Sequence, residues 1–248
     1  MQTPEPAAHG RERGEIMKDN IVLLKHIPLF SSLTDQELLG ISGKMKIKLF
    51  RKNDIILHEE DTNEYMYTIL SGSVKVIQTT EDGKEAIIAM HKTGDFFGEM
   101  SLIDGRTMPA TVLAVEDTQT AIISKKAFND LVSEQHKVLE NLLIILCTRL
   151  RDSWNTIQML NFNNAAQRMK MLFAILSGEY GEKTNEGITL NIKLTHQNIA
   201  NMAGITRETV TRVIDRWQKD KEITILKNKY IRLHPVFLTT LPRLSSRR

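Results

Sequence analysis

Three charged side chains within one short segment have the chemistry needed to recognise base pairs. Arg207, Glu208 and Arg212 belong to the stretch TRETVTR. An arginine can donate two parallel hydrogen bonds to O6 and N7 of guanine, and a glutamate can accept one from N4 of cytosine. Residues of these types on one helix face therefore predict contacts with base edges in the major groove of DNA.

The elements that must hold these side chains are two short helices joined by a tight turn, at residues 194–219. Thr195 and Thr206 are good N-caps for the two helices, and Gly204 suits the sharp turn between them. In the second helix apolar residues recur at i, i+3, i+4 and i+7, which is typical of a buried stripe with charged residues on the opposite face. The stripe consists of Val210, Val213, Ile214 and Trp217. The same pattern also fits a solvated pair of amphipathic helices with ordinary surface charge.

Basic charge and a further hairpin favour contact with the DNA backbone. Residues 164–248 carry 15 Lys and Arg against 7 Asp and Glu, whereas residues 1–163 carry 18 against 23. After the two helices, the segments EITIL and KYIRL flank a polar turn and predict a short β-hairpin, or wing. Lys227, Lys229 and Arg232 of this wing are candidates for phosphate contacts, and the alternative is that they are simply solvated. The residues predicted to contact DNA are Thr195, Gln197, Thr206, Arg207, Glu208, Thr211, Arg212, Lys227 and Lys229.

Short runs of β-branched and aromatic residues alternate with turn residues between positions 45 and 124. Asp82-Gly83, between VKVIQTT and KEAIIAM, is a strong hairpin signal, and Ser71-Gly72 predicts a further turn. Evenly spaced short strands with turns between them are typical of a small antiparallel sandwich or a barrel-like roll.

A helical pattern follows at residues 125–162, and its long part begins near Lys137. Leucine and isoleucine recur alternately every four and three residues over three heptads, which is typical of a helix that pairs with a second helix. A lone helix of this length cannot bury all these side chains on one small domain, so we predict a parallel homodimer. The alternative is a helix that packs on its own domain. The predicted interface residues are Leu139, Leu143, Leu146, Leu150, Ile157 and Leu160, with the polar Ser153 within the same seam.

The composition limits the class of site that we expect. Hydrophobic residues make up 41% of the 248 residues, enough to form an apolar interior, but no apolar run is long enough to span a bilayer. The first twenty residues are polar and contain no apolar signal segment, which favours a cytoplasmic protein without a membrane partner. Cys147 is the only cysteine, which excludes an iron–sulfur cluster, and no other metal-ligand spacing is present.

Four stretches of the chain occur in an order that resembles one known family. They are YTILSGSVKV, GDFFGEMSLIDG, the long helix, and ITRETVTRVIDRWQKDKEI with its wing. Over about residues 20–235 the chain resembles the cyclic AMP receptor protein and fumarate–nitrate regulator (Crp/Fnr) family of bacterial transcription regulators. The domains that this resemblance implies are a disordered tail at 1–18, an effector domain at 19–136, a dimerisation helix at 137–162, a winged helix-turn-helix at 165–235 and a C-terminal tail at 236–248.

The resemblance implies a fold and a set of partners. The fold is α+β, with an N-terminal double-stranded β-helix (a β-roll of the cyclic-nucleotide-binding kind), a long dimerisation helix and a C-terminal winged helix-turn-helix. The partners are double-stranded DNA, a second copy of the chain and RNA polymerase. The base-reading positions Arg207, Glu208 and Arg212 then suit an inverted repeat with half-sites of the TGTGA kind.

The segment that should hold the effector departs from the pattern of family members that bind cyclic AMP. Gly98 and Glu99 match the family, but the Arg-Ser pair that holds the cyclic phosphate there is replaced by Met108-Pro109 here. A buried phosphate without a cationic partner costs several kcal/mol, and methionine carries no charge while proline has no N–H to donate. We therefore predict that cyclic AMP does not bind in the usual pose.

The identity of the effector stays open at this point. Arg106 lies two residues before Met108 and is a candidate cation, and Trp154 offers a flat surface that can stack on a base or fill the pocket. Some family members sense through haem, and the histidines available for this, none marked by its spacing, are His26, His58, His91 and His136. The predicted pocket residues are Gly98, Glu99, Met100, Ser101, Arg106, Met108, Pro109, Ala110, Ser153 and Trp154.

Three functions are compatible with these features. The first is a ligand-responsive, DNA-binding transcription regulator, in which Asn163-Asn164 forms a hinge that effector contacts bias. The second is a DNA-binding protein that has lost its sensing function. The third is a regulatory module of an enzyme, but the segment after the long helix contains no nucleophile–base pair, glycine-rich phosphate loop or metal-ligand spacing. We therefore predict no catalytic activity.

Overall fold

The computed structural model describes residues 23–81, 83–227, 229–242 and 244. The predicted N-terminal tail at 1–18, Asp82 of the predicted hairpin and the end of the predicted C-terminal tail lie outside the described residues. The chain divides into two compact units: residues up to 78 with 88–145, and residues 79–87 with those from 146 onward.

Two four-stranded sheets form the β-rich part of the chain. The first has the order β1-β8-β3-β6 and the second β2-β7-β4-β5, with antiparallel pairing as in β1 with β8 and β4 with β7. This arrangement confirms the predicted antiparallel roll. The strands are β1 (Lys46–Phe50), β2 (Ile55–Leu57), β3 (Tyr65–Ser71), β4 (Ser73–Thr79), β5 (Glu85–Lys92), β6 (Phe96–Phe97), β7 (Thr111–Ala114) and β8 (Thr118–Ser124).

The turn between β3 and β4 shows why the sequence needs glycine there. Gly72 has a φ of 89°, a conformation that side chains with a Cβ rarely adopt. A Cβ at this position would lie 2.6 Å from Oγ1 of Thr118, which itself donates to the carbonyl of Ser73. The turn predicted at Ser71-Gly72 is therefore confirmed, and its tightness comes from the close approach of β8.

The helices described beside the roll include a short 3-10 helix at Pro28–Phe30 and the α-helices α1 (Asp35–Ser42), α2 (Glu99–Asp104), α3 (Lys125–Glu134) and the long α4 (His136–Leu160). Thr34 and Glu37 form a reciprocal cap at the start of α1, in which the backbone N–H of Thr34 donates to the Glu37 carboxylate at 2.7 Å. This cap satisfies backbone N–H groups that otherwise lack a partner at a helix start.

The long helix α4 leaves much of its apolar face exposed in the single chain. Leu150 is 52% exposed and Ile157 58% exposed, and Trp154 on the same helix is 57% exposed. Other apolar residues of α4, such as Met159, are buried. The predicted seam thus includes large apolar side chains that one chain alone does not cover.

The C-terminal elements form a helical group with a small sheet. The helices are α5 (Ala165–Glu179), α6 (His196–Ala203), α7 (Arg207–Lys219) and α8 (Pro235–Thr239), and the strands are β9 (Gly181–Thr184), β10 (Gly187–Leu190), β11 (Ile223–Ile225) and β12 (Ile231–Leu233). The predicted two-stranded wing is confirmed by the antiparallel pairing of β11 with β12. The sheet is larger than predicted, with the order β11-β12-β10-β9. No pattern in the sequence predicts β9, because all four of its residues are exposed and none is strongly apolar.

Within the described part of the chain, every helix is too short or too polar to cross a lipid bilayer.

Candidate nucleic-acid interface and effector site

Aromatic packing fixes the orientation of α7. Val210, Ile214 and Trp217 are buried along one side of this helix. The Trp217 ring lies edge-on to two phenylalanines, with ring centroids 5.7 Å from Phe173 and 4.9 Å from Phe237. Because α5 and α8 hold this side, the opposite side of α7 is the one that faces outward.

The outward side of α7 brings together the residues predicted to read bases. Arg207, Glu208 and Arg212 are exposed, and Thr211 is half-buried. One open surface is lined by Arg207, Glu208, Thr211, Arg212, Asp215, Arg216, Lys219 and Asp220. Two arginines and a glutamate therefore project from the first two turns of a helix that is held on its other side by aromatic packing. This arrangement suits recognition of base edges in the major groove.

The two threonines at the helix starts act as caps. The Thr195 hydroxyl accepts from the backbone N–H of Asn198 at 3.0 Å, and the Thr206 hydroxyl accepts from that of Thr209 at 3.3 Å. Both hydroxyls are therefore occupied within the chain. Gln197, one residue into α6, is exposed and donates to the Asn201 side chain at 2.7 Å.

A contact that the sequence does not predict joins α6 to α7. Nδ1 of His196 lies 2.8 Å from the Thr211 hydroxyl, which in turn lies 3.1 Å from the carbonyl oxygen of Arg207. The two partners are separated by 15 residues, and neither periodicity nor capping signals connect them. Only the folded arrangement of the two helices brings them together.

The wing presents two of its three predicted cations. Lys227 and Lys229 are exposed. Arg232, by contrast, forms an ion pair with Glu186 in the turn between β9 and β10. The phosphate contact considered for Arg232 is thus not supported, because its guanidinium is already paired with a carboxylate.

The connection between α4 and the helix-turn-helix is held by one arginine. Asn164 caps α5 by accepting from the N–H of Ala166 at 2.8 Å. Nε of Arg168 donates to the carbonyl of Phe162 at 2.6 Å, and its Nη1 donates to the carbonyl of Gly204 at 3.1 Å. The segment predicted as a hinge is therefore linked directly to the turn between α6 and α7.

The effector segment begins with a tight turn at Gly98. This residue has a φ of 84°, and its carbonyl accepts from Nδ2 of the buried Asn63 at 2.9 Å. The Asn63 side chain also pairs with the backbone of Tyr65, accepting from its N–H at 3.1 Å and donating to its carbonyl at 2.6 Å. Nothing in the sequence predicts this role of Asn63, because a single asparagine before a strand gives no signal of it.

We expect Gly98→Ala to destabilise the roll by roughly 1–3 kcal/mol or more, because it combines an unfavourable φ with a steric clash. A Cβ at Gly98 would lie 2.8 Å from the carbonyl oxygen of Tyr65 and 2.9 Å from Nδ2 of Asn63. Gly105→Ala is the matched control, since Gly105 has a similar φ of 71° but no atom within 4 Å of the added Cβ. Thermal unfolding of both variants measures the difference, and equal losses of stability would contradict the clash.

The interior of the roll around Met108 is lined mainly by apolar side chains. Met108 is 6% exposed and belongs to one buried cluster with Phe50, Leu57, Tyr67, Ile69, Val74, Phe97, Val112 and Ala114. The Tyr67 and Phe97 rings stack with centroids 5.0 Å apart. Burial raises the pKa of the Tyr67 phenol, so that this side chain stays neutral in the physiological range. Such an interior favours apolar groups over a phosphate.

The remaining pocket residues do not all face this interior. Glu99, Ser101 and Ala110 are buried, as is Gly98, whereas Met100, Arg106 and Pro109 are exposed. Arg106 is thus exposed and lies outside the buried cluster around Met108. Ser153 and Trp154 are exposed on α4, where the Ser153 hydroxyl donates to the Arg149 carbonyl at 2.9 Å.

The side chains that commonly bind metal ions are spread over the described residues. These residues contain no group of three or more His, Cys, Asp or Glu side chains placed to hold a metal ion. His91 stacks against Phe97 with ring centroids 6.5 Å apart, whereas His26, His58 and His136 are exposed.

Comparison with known proteins identifies relatives of both halves of the chain. Two family models match: a cyclic nucleotide-binding domain over residues 47–135 and a Crp-like helix-turn-helix domain over residues 167–236. The cAMP-activated global transcriptional regulator CRP of Pasteurella multocida is 31% identical over 173 residues, which cover 68% of this chain and 80% of that protein. The global nitrogen regulator of Synechococcus elongatus is 28% identical over 202 residues, which cover 80% of this chain and 91% of that protein.

Solved structures agree on the fold. The structure of FixK2 from Bradyrhizobium japonicum superposes with a TM-score of 0.70 at 19% identity, covering 80% of this chain and 98% of that one. At this level of identity the likeness concerns the fold alone.

Proposed function

Because the chain belongs to the Crp/Fnr family of DNA-binding transcription regulators, we propose that it acts as a homodimer that reads an inverted repeat with TGTGA-like half-sites. The chain is a DNA-binding regulator with an effector-binding domain, and its relatives are regulators rather than enzymes. In our proposal the β-roll binds a small effector, and this effector is not cyclic AMP bound in the pose usual for the family.

The observation that carries the proposal is the composition of the outward side of α7. Arg207, Glu208 and Arg212 share one surface, while Trp217 and its aromatic neighbours hold the opposite side. The two arginines suit guanines, and the glutamate suits a cytosine on the opposite strand. At the wing, Lys227 and Lys229 are free of the ion pair that occupies Arg232, which supports a role in phosphate contact.

The exposed side of α4 supports the homodimer. Large apolar side chains placed in heptad positions, such as Leu143, Leu150 and Ile157, are exposed in the single chain, and exposed apolar surface of this kind marks protein–protein contact. In a parallel pair the same residues of two chains cover each other. A two-fold symmetric dimer then presents two α7 helices to half-sites about 34 Å apart, one turn of DNA.

The apolar surroundings of Met108 support the effector part of the proposal. An anion placed near Met108 lacks a cationic partner, because Met108 is buried among apolar side chains and Arg106 is exposed. The cost of several kcal/mol for such an unpaired buried charge disfavours cyclic AMP in its usual pose. The burial of Met108 within this apolar cluster also favours a second candidate function, in which the chain binds DNA without any effector.

Further parts of the proposal follow from the family. We infer that the protein works in the cytoplasm and contacts RNA polymerase, and that its domains have the boundaries 19–136, 137–162 and 165–235. In the effector-responsive form, the link from Arg168 to Phe162 and Gly204 supports transmission of a change at the Asn163-Asn164 hinge to the reading helices.

Titration of labelled inverted-repeat DNA tests the proposal. We expect tight binding to TGTGA-like repeats, weaker binding to scrambled DNA of the same length, and affinity that falls steeply with salt because phosphate contacts release counterions. Cyclic AMP at millimolar concentration should leave the affinity unchanged. Equal affinity for repeats and scrambled DNA would refute sequence-specific reading, and an increase in affinity with cyclic AMP would refute the proposed effector class.

Mass spectrometry of material that copurifies with the protein separates the two candidate functions. A stoichiometric small molecule that changes DNA affinity when it is removed supports the effector-responsive form. Strong DNA binding that no tested ligand alters supports the effector-independent form.

A further inference from the structure

The contacts of the Thr211 side chain restrict what it can offer to a base pair. A threonine hydroxyl has one proton to donate and two lone pairs to accept with. Here the oxygen lies 2.8 Å from Nδ1 of His196 and 3.1 Å from the carbonyl oxygen of Arg207. If Nδ1 carries a proton, the hydroxyl accepts from His196 and donates to Arg207; if it does not, the hydroxyl donates to His196. In both tautomers the single hydroxyl proton goes to an acceptor of this chain.

The position of Thr211 places it among the residues proposed to read bases. Thr211 lies one turn after Arg207 and directly before Arg212, and it lines the same surface as both. Because the hydroxyl proton is used within the chain, contact with the DNA through the methyl group remains open to this side chain. Thymine is the base that presents a methyl group in the major groove, and threonine methyls pack well against it.

We propose that Thr211 is a specificity-determining residue that selects a thymine in each half-site through methyl–methyl contact, and that His196 is the positioning residue that turns its hydroxyl away from the base. The inference rests on the proposed reading of DNA by α7 and adds a contact that charge alone does not supply. Arg207, Glu208 and Arg212 select guanine and cytosine, whereas Thr211 selects a base by its apolar surface.

Replacing thymine by deoxyuridine tests the proposal on the wild-type protein, because this change removes the methyl group and keeps every hydrogen-bonding group of the base pair. One thymine position is replaced at a time, at the symmetry-related places of both half-sites, and the dissociation constant is measured for each DNA. We expect one position to weaken binding by about fourfold per half-site, the value for one buried methyl group. If no thymine is sensitive, the proposal is overturned.

Two variants of Thr211 distinguish the contribution of its methyl group to thymine preference from that of its hydroxyl. Thr211→Ser removes the methyl group and should bind thymine and deoxyuridine DNA equally at the sensitive position. Thr211→Val keeps a methyl group and should retain the preference of about fourfold per half-site. Retained preference in Thr211→Ser, or lost preference in Thr211→Val alone, would mean that the hydroxyl reads the base and would overturn the proposal. Circular dichroism and thermal unfolding verify that both variants fold.

The role of His196 has a separate readout. His196→Ala should lower the ratio of affinities for thymine and deoxyuridine DNA toward one, since the hydroxyl is then free to turn toward the base. A purely structural role would weaken binding to both DNAs equally and leave this ratio unchanged. In the Thr211→Val background there is no hydroxyl to orient, so His196→Ala should not change the ratio further. An unchanged ratio in the single variant would overturn the positioning role.

The failure of this inference is distinguishable from failure of the proposed function. If the proposed function is wrong, wild-type protein does not distinguish the inverted repeat from scrambled DNA. If only the thymine contact is wrong, that discrimination stays intact and the deoxyuridine substitutions have no effect.

Discussion

Arg207→Ala is expected to weaken binding to the inverted repeat by roughly 1–3 kcal/mol and to relax specificity at one base pair of each half-site. The physical reason is the loss of two parallel hydrogen bonds to a guanine. Its O6 and N7 acceptors then lack a donor, because alanine has no polar side-chain group. Arg207 is exposed at the first turn of α7, so the substitution removes no buried packing. Measuring affinity for DNA with each base pair of the half-site changed in turn tests the expectation.

Two further substitutions serve as controls for Arg207→Ala. Arg216→Ala removes the same charge near the end of α7, where Arg216 lies 3.6 Å from Asp220 in an exposed ion pair, and we expect a small loss that is equal for all sequences. Arg207→Lys keeps the charge but lacks the planar fork, so it should retain non-specific affinity and lose discrimination. If Arg207→Ala instead weakens binding equally for every sequence, Arg207 contacts a phosphate and not a base.

Leu150→Glu is expected to convert the protein to a monomer at micromolar concentration. In the proposed dimer, two-fold symmetry places a carboxylate from each chain within one apolar interface, and the desolvation cost is several kcal/mol for each ion. A total of this size weakens the dimer by about a thousandfold or more. Because Leu150 is half-exposed in the single chain, the substitution should leave the fold of the monomer intact. Sedimentation equilibrium measures the oligomeric state.

Gln158→Glu is the matched control, since it adds a carboxylate at an exposed polar position of the same helix. This variant should remain dimeric and should bind the inverted repeat like the wild type. The Leu150→Glu monomer should lose most of its preference for two correctly spaced half-sites over one, because each chain then binds alone. A Leu150→Glu protein that stays dimeric and binds the repeat normally would contradict dimerisation through α4.

The helix-turn-helix was predictable from the sequence because its signals are local. Thr195, Thr206 and Gly204 mark where the helices begin and end, and the structure confirms both caps and the left-handed conformation of Gly204. The apolar stripe of α7 followed from its spacing, and Val210, Ile214 and Trp217 are buried as expected. The antiparallel roll was predictable for a similar reason, since strands and turns alternate at short range.

Other features of the candidate sites depend on residues far apart in the sequence. Asn63 supports Gly98 across 35 residues, and His196 reaches Thr211 across 15. Neither contact has a local signal, because each depends on how separate elements pack. Arg232, which the sequence suggests as a phosphate contact, similarly forms an ion pair with Glu186 that the sequence does not predict.

The amino-acid sequence by itself determined the types of elements in this protein, the charged residues on the outer side of α7 and the absence of an arginine at position 108. These features depend on side-chain chemistry and on periodicities of two to four residues, so residues close together in the sequence are enough to predict them. Only the tertiary structure decided that Met108 is buried in the apolar cluster of the roll, that Arg106 faces solvent and that the Thr211 hydroxyl contacts His196. Such outcomes depend on burial and on the direction of hydrogen bonds between distant segments, which exist only after the chain has folded.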